Sequence, residues 1–158
     1  VGRGSESGVQ LMDRLSEEGV YSADRGLFPE FYAGFADEAE TKAVIRRVYD
    51  TEAELIDPHT AVAEKVREDY AAQTEDATPT IVLSTASPYK FARPVYEAVF
   101  GDAPFGTDDF EIQDSLYDGT HRVIPEPLTG LRDKEIRHSG VCAPDGMADA
   151  AAAFLTEE

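Results

Sequence analysis

Two short loops of this sequence combine hydroxyl, imidazole and charged side chains with a proline. The first loop is Asp57–Ala61 and reads Asp-Pro-His-Thr-Ala, and the second is Ser84–Phe91 and reads Ser-Thr-Ala-Ser-Pro-Tyr-Lys-Phe. These side chains donate and accept hydrogen bonds, and lysine also attracts anions. Loops that place such groups at the ends of buried elements predict one wall of a small-molecule site.

A helix and a strand are the elements that must position these loops. Pro58 suits the first turn of a helix, and Val62, Val66 and Tyr70 follow at a spacing of four residues that indicates one apolar face. The apolar run Thr80–Leu83 precedes the second loop and predicts a buried strand. The two loops are therefore expected to begin a helix and to follow a strand.

Both loops, in this order and with one helix between them, closely resemble the C-terminal portion of threonine synthases. The second loop departs from many family members at Ser87, where they have histidine, and at Tyr89, where they have a small residue. The resemblance covers roughly residues 8–100. Further matching stretches are Leu11–Leu15, Gly19–Tyr21 and Phe35–Thr41, which leads towards Leu55–Asp57.

The resemblance implies an enzyme that uses pyridoxal 5'-phosphate to convert O-phospho-L-homoserine and water into L-threonine and phosphate. The implied fold is α/β, with helices packed on a small, mostly parallel sheet as in the C-terminal part of a pyridoxal-phosphate fold type II enzyme. Residues 1–158 are expected to form a single α/β unit. In the family a hydroxyl group bonds the ring nitrogen of the cofactor, and Thr85 matches that position, with Ser84 as the neighbouring alternative.

Three other residues are candidates for binding the substrate. The Lys90 ammonium group can attract a phosphate or a carboxylate, although a surface lysine at a helix entry is an equal alternative. His59 and Thr60 lie at a predicted helix start, where unpaired N–H groups favour anions. The alternative for His59 is that its ring caps the loop, and Asp57 is predicted to be the helix N-cap. For Thr85 the alternative is an ordinary hydrogen bond to nearby backbone.

The lysine that holds the cofactor aldehyde as a Schiff base lies far upstream in the family, as does the glycine-rich loop that cradles the phosphate. Neither motif occurs in this chain, and Lys90 is not assigned as that lysine. We therefore expect the isolated chain to be an inactive fragment whose partner is the N-terminal part of the same enzyme. The alternatives are a non-catalytic binding or regulatory module derived from this fold, and an acidic α/β interaction domain that matches by chance.

Bulk composition restricts the other classes of function. A formal charge of −18 repels nucleic-acid phosphates and anionic membranes, so neither is an expected partner. Cys142 is the only cysteine, which excludes an internal disulfide and is typical of a cytoplasmic protein. His121 and His138 lack metal-ligand spacing with each other or with Cys142, so no metal site is expected.

Alternating helices and strands predict an α/β layer structure with parallel strand pairing. Asp37 and Glu40 have the spacing of a capping box, so a helix should begin after Asp37. Its apolar face should contain Val44, Ile45 and Val48. The other predicted helices are Ser7–Glu17, Phe91–Phe100, Asp108–Tyr117 and Asp145–Leu155, and the predicted strands are Val20–Ala23, Thr80–Leu83 and Ile136–Ala143.

Overall fold

The fold of the chain is known from a computed structural model that describes residues 5–20, 26, 29–104 and 106–156, with side chains from residue 8 onwards. Seven α-helices and two short 3-10 turns lie within these ranges. The helices are α1 (Ser5–Glu18), α2 (Glu38–Glu52), α3 (Pro58–Thr74), α4 (Ala92–Phe100), α5 (Asp109–Thr120), α6 (Glu126–Thr129) and α7 (Met147–Thr156). The 3-10 turns are Pro88–Phe91, directly before α4, and Pro144–Gly146, directly before α7.

Three of the helices begin with an aspartate whose side chain accepts a hydrogen bond from the first turn. Asp37 accepts from the backbone N–H of Glu40, whose carboxylate accepts in return from the N–H of Asp37. This reciprocal pair confirms the predicted capping box. Asp57 caps α3 as predicted, and Asp108 forms a second capping box at the start of α5 with Glu111. Each cap satisfies backbone donors that the helix itself leaves unpaired.

The hydrophobic core lies between the middle helices. Helix α2 packs against α3 and α4, and α4 packs against α5. The predicted apolar face of α2 is confirmed, since its buried side chains are Val44, Ile45 and Val48. Burial of such aliphatic side chains stabilises the fold by roughly 1.5–3 kcal/mol each. The remaining core residues are Ala61, Tyr89, Ala92, Val95, Val99, Ile112 and Leu116.

The predicted sheet is wrong, because no β-strand occurs in any residue that the structure describes. Residues 80–83 form no hydrogen-bonded ladder, and the side chains of Ile81 and Leu83 are 86% and 75% exposed. The predicted strand at 136–143 is likewise irregular, and its Val141 side chain is 97% exposed. Most of the predicted strand at 20–23 lies outside the described residues. The α/β arrangement of helices on a mostly parallel sheet is therefore replaced by packed helices.

The error has a simple physical origin. β-branched and apolar residues indicate that a segment fits a pleated, half-buried surface, but a strand forms only where another strand pairs with its backbone. No described segment provides that partner for residues 80–83 or 136–143. A short apolar run is therefore insufficient evidence for a sheet.

The predicted helices agree with the structure apart from their ends, but the short helix α6 was not predicted. Helix α1 covers the predicted 7–17 segment and stops before Gly19, whose φ of +73° is the left-handed conformation common after a helix. Helix α4 begins one residue after the predicted start because a 3-10 turn precedes it. None of the described helices has the length and apolar character needed to cross a lipid bilayer.

Candidate functional site

The carboxylate of Asp57 organises the first loop. This side chain is fully buried. Its Oδ1 accepts a hydrogen bond of 3.0 Å from the backbone N–H of His59 and lies 3.1 Å from the ring Nδ1 of the same residue. Its Oδ2 accepts a hydrogen bond from the hydroxyl group of Thr60. One carboxylate thus holds three polar groups of the loop at the start of α3.

A hydroxyl–hydroxyl contact joins the first loop to the second. The Oγ1 of Thr60 lies 3.2 Å from the Oγ of Ser84. Thr60 has a single hydroxyl proton, and a carboxylate can only accept, so this proton is donated to Asp57. Ser84 must then be the donor in its contact with Thr60. The structure therefore brings together two candidate residues that are 24 positions apart in the sequence.

His59 and Lys90 both contact the ring of Phe91. The ring centroids of His59 and Phe91 are 4.9 Å apart, and the Lys90 Nζ lies 5.8 Å from the Phe91 centroid. The His59 side chain is 65% exposed, and Lys90 is also exposed. Phe91 was not predicted as a site residue, although an aromatic residue directly after Lys90 at a helix entry was a usable signal.

A cavity of about 420 Å³ lies beside His59 and Phe91. Pro94, Val62 and the first turns of α2 contribute to its mostly apolar wall. Lys42 also lines it, but its Nζ is 2.7 Å from the Glu97 carboxylate, which raises the pKa of this lysine through a hydrogen bond. Lys42 is therefore already paired.

Thr85 is the candidate residue that stands apart from these contacts. It is exposed, and its hydroxyl group makes no hydrogen bond to any residue in the part of the chain that the structure describes. The hydroxyl of Ser84, in contrast, is engaged by Thr60. Of the two hydroxyl groups predicted for the cofactor ring nitrogen, the one on Thr85 is therefore available to a ligand.

Of the positions that the resemblance implies for pyridoxal phosphate, this chain contains candidates only for the ring nitrogen, which are Thr85 and Ser84. A lysine for its aldehyde would need an unpaired ammonium group, but Lys65 is paired with Asp69 at 2.6 Å, as Lys42 is with Glu97. Lys90 and Lys134 are exposed. No glycine-rich phosphate cradle is present in the sequence.

Tyr89 anchors the second loop to the core. Its side chain is buried, and its hydroxyl group donates to the backbone carbonyl of Arg122. The side-chain amide of Gln113 donates to the Tyr89 carbonyl at 3.0 Å, which adds a contact with α5. Burial raises the pKa of the Tyr89 phenol. Ser87 has a local role, since its hydroxyl accepts from the Tyr89 N–H at 3.3 Å. Ser87 and Tyr89, the two residues at which the chain departs from many family members, thus both contribute to the conformation of this loop.

The two remaining histidines belong to other regions of the fold. His121 follows the last residue of α5, and the ring of His138 packs against Phe154 of α7 with centroids 6.1 Å apart. Among the described residues, no group of three or more histidine, cysteine, aspartate or glutamate side chains could hold a metal ion. Neither histidine contributes to the contacts around the two loops.

Comparison with known proteins identifies the family of this chain. The family model for the C-terminal region of threonine synthase matches residues 60–150. Human threonine synthase-like 1 is 34% identical over 96 residues, which is 58% of this chain and 12% of that protein. Threonine synthase from Pseudomonas aeruginosa is 31% identical over 107 residues, which is 65% of this chain and 22% of that protein.

A third relative, threonine synthase from Corynebacterium glutamicum, is 42% identical over 74 residues, which is 47% of this chain and 15% of that protein. The chain thus spans less than a quarter of the length of these relatives. The family-model match contains Thr60, Ser84, Thr85 and Lys90. The match differs in extent from the predicted resemblance over roughly residues 8–100, since it begins at residue 60 and continues to residue 150. Because it covers more than half of the chain, the family itself is confirmed, and this chain belongs to the threonine synthase C-terminal family.

Proposed function

We propose that this chain is the C-terminal part of a threonine synthase that converts O-phospho-L-homoserine and water into L-threonine and phosphate. The observation that carries the proposal is the 3.2 Å contact between the Thr60 and Ser84 hydroxyl groups. It brings the two loops that carry the family resemblance to one place, where their remaining polar side chains can meet one ligand. The cofactor of the proposed enzyme is pyridoxal 5'-phosphate.

Pyridoxal phosphate supplies an electron sink for proton removal and for loss of the phosphate group. In the proposed site the Thr85 hydroxyl donates to the ring nitrogen, while Ser84 holds the loop through Thr60. A hydroxyl group donates a hydrogen bond without transferring its proton, so the ring nitrogen stays neutral. The lysine that holds the cofactor and the cradle for its phosphate belong, in this proposal, to the N-terminal part of the same enzyme.

The substrate of the proposed enzyme is an anion, whereas the chain has a formal charge of −18. Salt screens exposed charges over a distance of about 10 Å, so groups close to the ligand dominate its binding. Lys90 is exposed and forms no ion pair within the described residues. Its ammonium group is therefore the proposed contact for the substrate phosphate or carboxylate, with His59 as a hydrogen-bonding neighbour.

Substitution of Thr85 by alanine in the complete enzyme tests the proposal. Thr85→Ala should leave the fold unchanged, because the side chain is exposed, but should weaken cofactor binding and slow turnover. Loss of one hydrogen bond costs about 1 kcal/mol, or roughly fivefold in the dissociation constant of the cofactor. Cofactor affinity is measured by absorbance titration and turnover by phosphate release.

Thr80→Ala is the matched control, because Thr80 is an exposed threonine whose hydroxyl donates to the backbone carbonyl of Thr78. This control should retain both the cofactor affinity and the rate of the unsubstituted enzyme. If Thr85→Ala behaves like Thr80→Ala in both measurements, Thr85 has no role in cofactor binding.

A further inference from the structure

We propose that Asp57 is a positioning residue that holds His59 in the tautomer protonated at Nδ1, so that Nε2 is presented as a hydrogen-bond acceptor. This assignment goes beyond the capping of α3. It rests on the proposed function only where it names the substrate as the ligand of Nε2. The tautomer itself follows from the geometry of the loop.

The surroundings of Asp57 determine which ring nitrogen carries the proton. Within the described residues, the partners of its buried carboxylate are the backbone N–H of His59, the His59 ring and the Thr60 hydroxyl, and no lysine or arginine pairs with it. A buried carboxylate needs such donors because burial without them is costly. An ionised carboxylate only accepts, so the Nδ1 at 3.1 Å must be the donor. In a neutral imidazole, Nε2 is then the acceptor.

The Asp57 carboxylate at the start of α3 makes different contacts from the aspartates that cap α2 and α5. At α2 and α5 the third residue after the cap is a glutamate that accepts back from the cap N–H. At α3 that position is Thr60, which donates to the carboxylate instead, and the preceding residue supplies an imidazole. Capping alone needs one oxygen of Asp57, whereas both oxygens are used here.

The exposed part of the His59 ring borders the cavity. The ring contacts Phe91 at an interplanar angle of 56°, and the side chain remains 65% exposed. No described residue forms a hydrogen bond with Nε2. The wall beside it is mainly apolar, with Pro94 and Val62. A donor such as the ammonium or hydroxyl group of an amino-acid ligand is the chemistry that an acceptor at this position recognises.

Nitrogen NMR of the 158-residue chain tests the tautomer directly. Long-range ¹H–¹⁵N correlations distinguish the two ring nitrogens of a neutral histidine, and His59→Gln identifies the signals of His59 among the three histidines. We expect the Nδ1–H form to predominate. In Asp57→Asn the ratio of Nδ1–H to Nε2–H should fall about tenfold, because a charged hydrogen bond is replaced by a weaker neutral one.

Asparagine caps helices as well as aspartate does, so Asp57→Asn should retain α3. The matched control is Asp108→Asn, which removes the same charge from the cap of α5 and should leave the His59 ratio unchanged. A predominant Nε2–H form in the unsubstituted chain overturns the inference, and that measurement needs no variant to fold. An unchanged ratio in Asp57→Asn also overturns it.

Kinetics of the complete enzyme separate this inference from the proposed function. If His59 binds the substrate through Nε2, Asp57→Asn should raise KM by the factor by which the measured fraction of the Nδ1–H form falls, and Asp108→Asn should not raise it. A tautomer shift without a change in KM would contradict the substrate role of His59 in the proposed function. It would still support Asp57 as the residue that sets the tautomer, because the NMR readout contains no substrate.

Discussion

The polar side chains of the two loops differ in how much of their bonding capacity the protein itself uses. Asp57 and Thr60 are buried, and their hydrogen bonds are made within the chain. Thr85 and Lys90 are exposed. This division separates residues that shape the site from residues that can bind a ligand. A prediction for the second group can therefore be tested without loss of the fold.

Lys90→Met should weaken substrate binding far more than cofactor binding. Methionine keeps most of the apolar stem beside Phe91 while it removes the ammonium group. A hydrogen bond to a charged group contributes roughly 1.5–3 kcal/mol, so KM should rise by about tenfold to more than a hundredfold. Steady-state kinetics and a cofactor titration of the complete enzyme measure the two effects separately.

Lys134→Met provides the control for loss of a positive charge, since Lys134 is an exposed lysine in the segment after α6. It should leave KM unchanged. Should Lys90→Met also retain the KM of the unsubstituted enzyme, Lys90 is an ordinary surface lysine, and His59 becomes the better substrate contact.

At the scale of secondary-structure elements, the second loop is held by contacts with α5 and the segment that follows it. The loop continues into the 3-10 turn Pro88–Phe91 and then into α4, which packs against α5. Tyr89 lies in this turn, and its hydroxyl group reaches the carbonyl of Arg122 beyond the end of α5. Because Lys90 directly follows Tyr89 in the chain, the burial of Tyr89 in the core helps to fix the position of Lys90.

Tyr89→Phe should destabilise the chain by about 1 kcal/mol at neutral pH, because one hydrogen bond is lost while the ring still fills the core. Burial raises the pKa of Tyr89 above its ordinary value of 10.0. Above that pH the unfolded chain releases the phenol proton while the folded chain retains it, so unfolding becomes easier. This loss of stability begins near pH 10 and is complete above the raised pKa. The Tyr89→Phe chain has no phenol at position 89, so it does not lose stability in this way.

Urea unfolding at pH 7 and at intervals between about pH 9.5 and 11 measures both effects. The difference in unfolding free energy between the two proteins should shrink as the pH rises, since only the unsubstituted chain loses the contribution of Tyr89. Tyr32→Phe is a suitable control, because Tyr32 is a half-buried tyrosine whose ring packs against Tyr70, away from Tyr89. A constant difference across this range would contradict the burial of a titrating phenol at position 89.

At the scale of the whole molecule, the core is confined to the middle of the chain. Its buried residues lie between Val44 and Leu116, whereas α6 and α7 contribute none. Several apolar side chains outside this core are strongly exposed, including Ile136 at 85% and Leu155 at 83%, whereas Leu128 of α6 is partly buried against the core. Within the described residues, the packing that stabilises the chain therefore lies mainly in helices α2 to α5.

Incubation of the isolated chain with pyridoxal phosphate, followed by borohydride reduction, should give only scattered, low labelling of lysines. A specific site needs a lysine with a phosphate cradle beside it, and the sequence has no glycine-rich cradle. Mass spectrometry of the intact chain and of its peptides gives the number and position of the adducts. A single stoichiometric adduct at Lys90 would show that this chain alone holds the cofactor.

Local features of the sequence were sufficient to predict the family and all the described helices except α6. The caps at Asp37 and Asp57 were predicted because they depend on groups within three residues, and the cap at Asp108 has the same spacing although it was not predicted. The apolar face of α2 follows from helical periodicity in the same way. The two loops also predicted the family, which is confirmed by a match to residues 60–150 that contains the second loop and the last two residues of the first.

The tertiary structure decided whatever depends on distant parts of the chain. The sheet was predicted wrongly because a strand needs a second strand, often distant in the sequence, to pair with its backbone. The composition of a run such as Thr80–Leu83 does not show whether such a partner exists. The meeting of Thr60 with Ser84, and of His59 with Phe91, results from the packing of α3 against the region before α4. Sequence spacing places groups along one element, but packing determines which elements lie side by side.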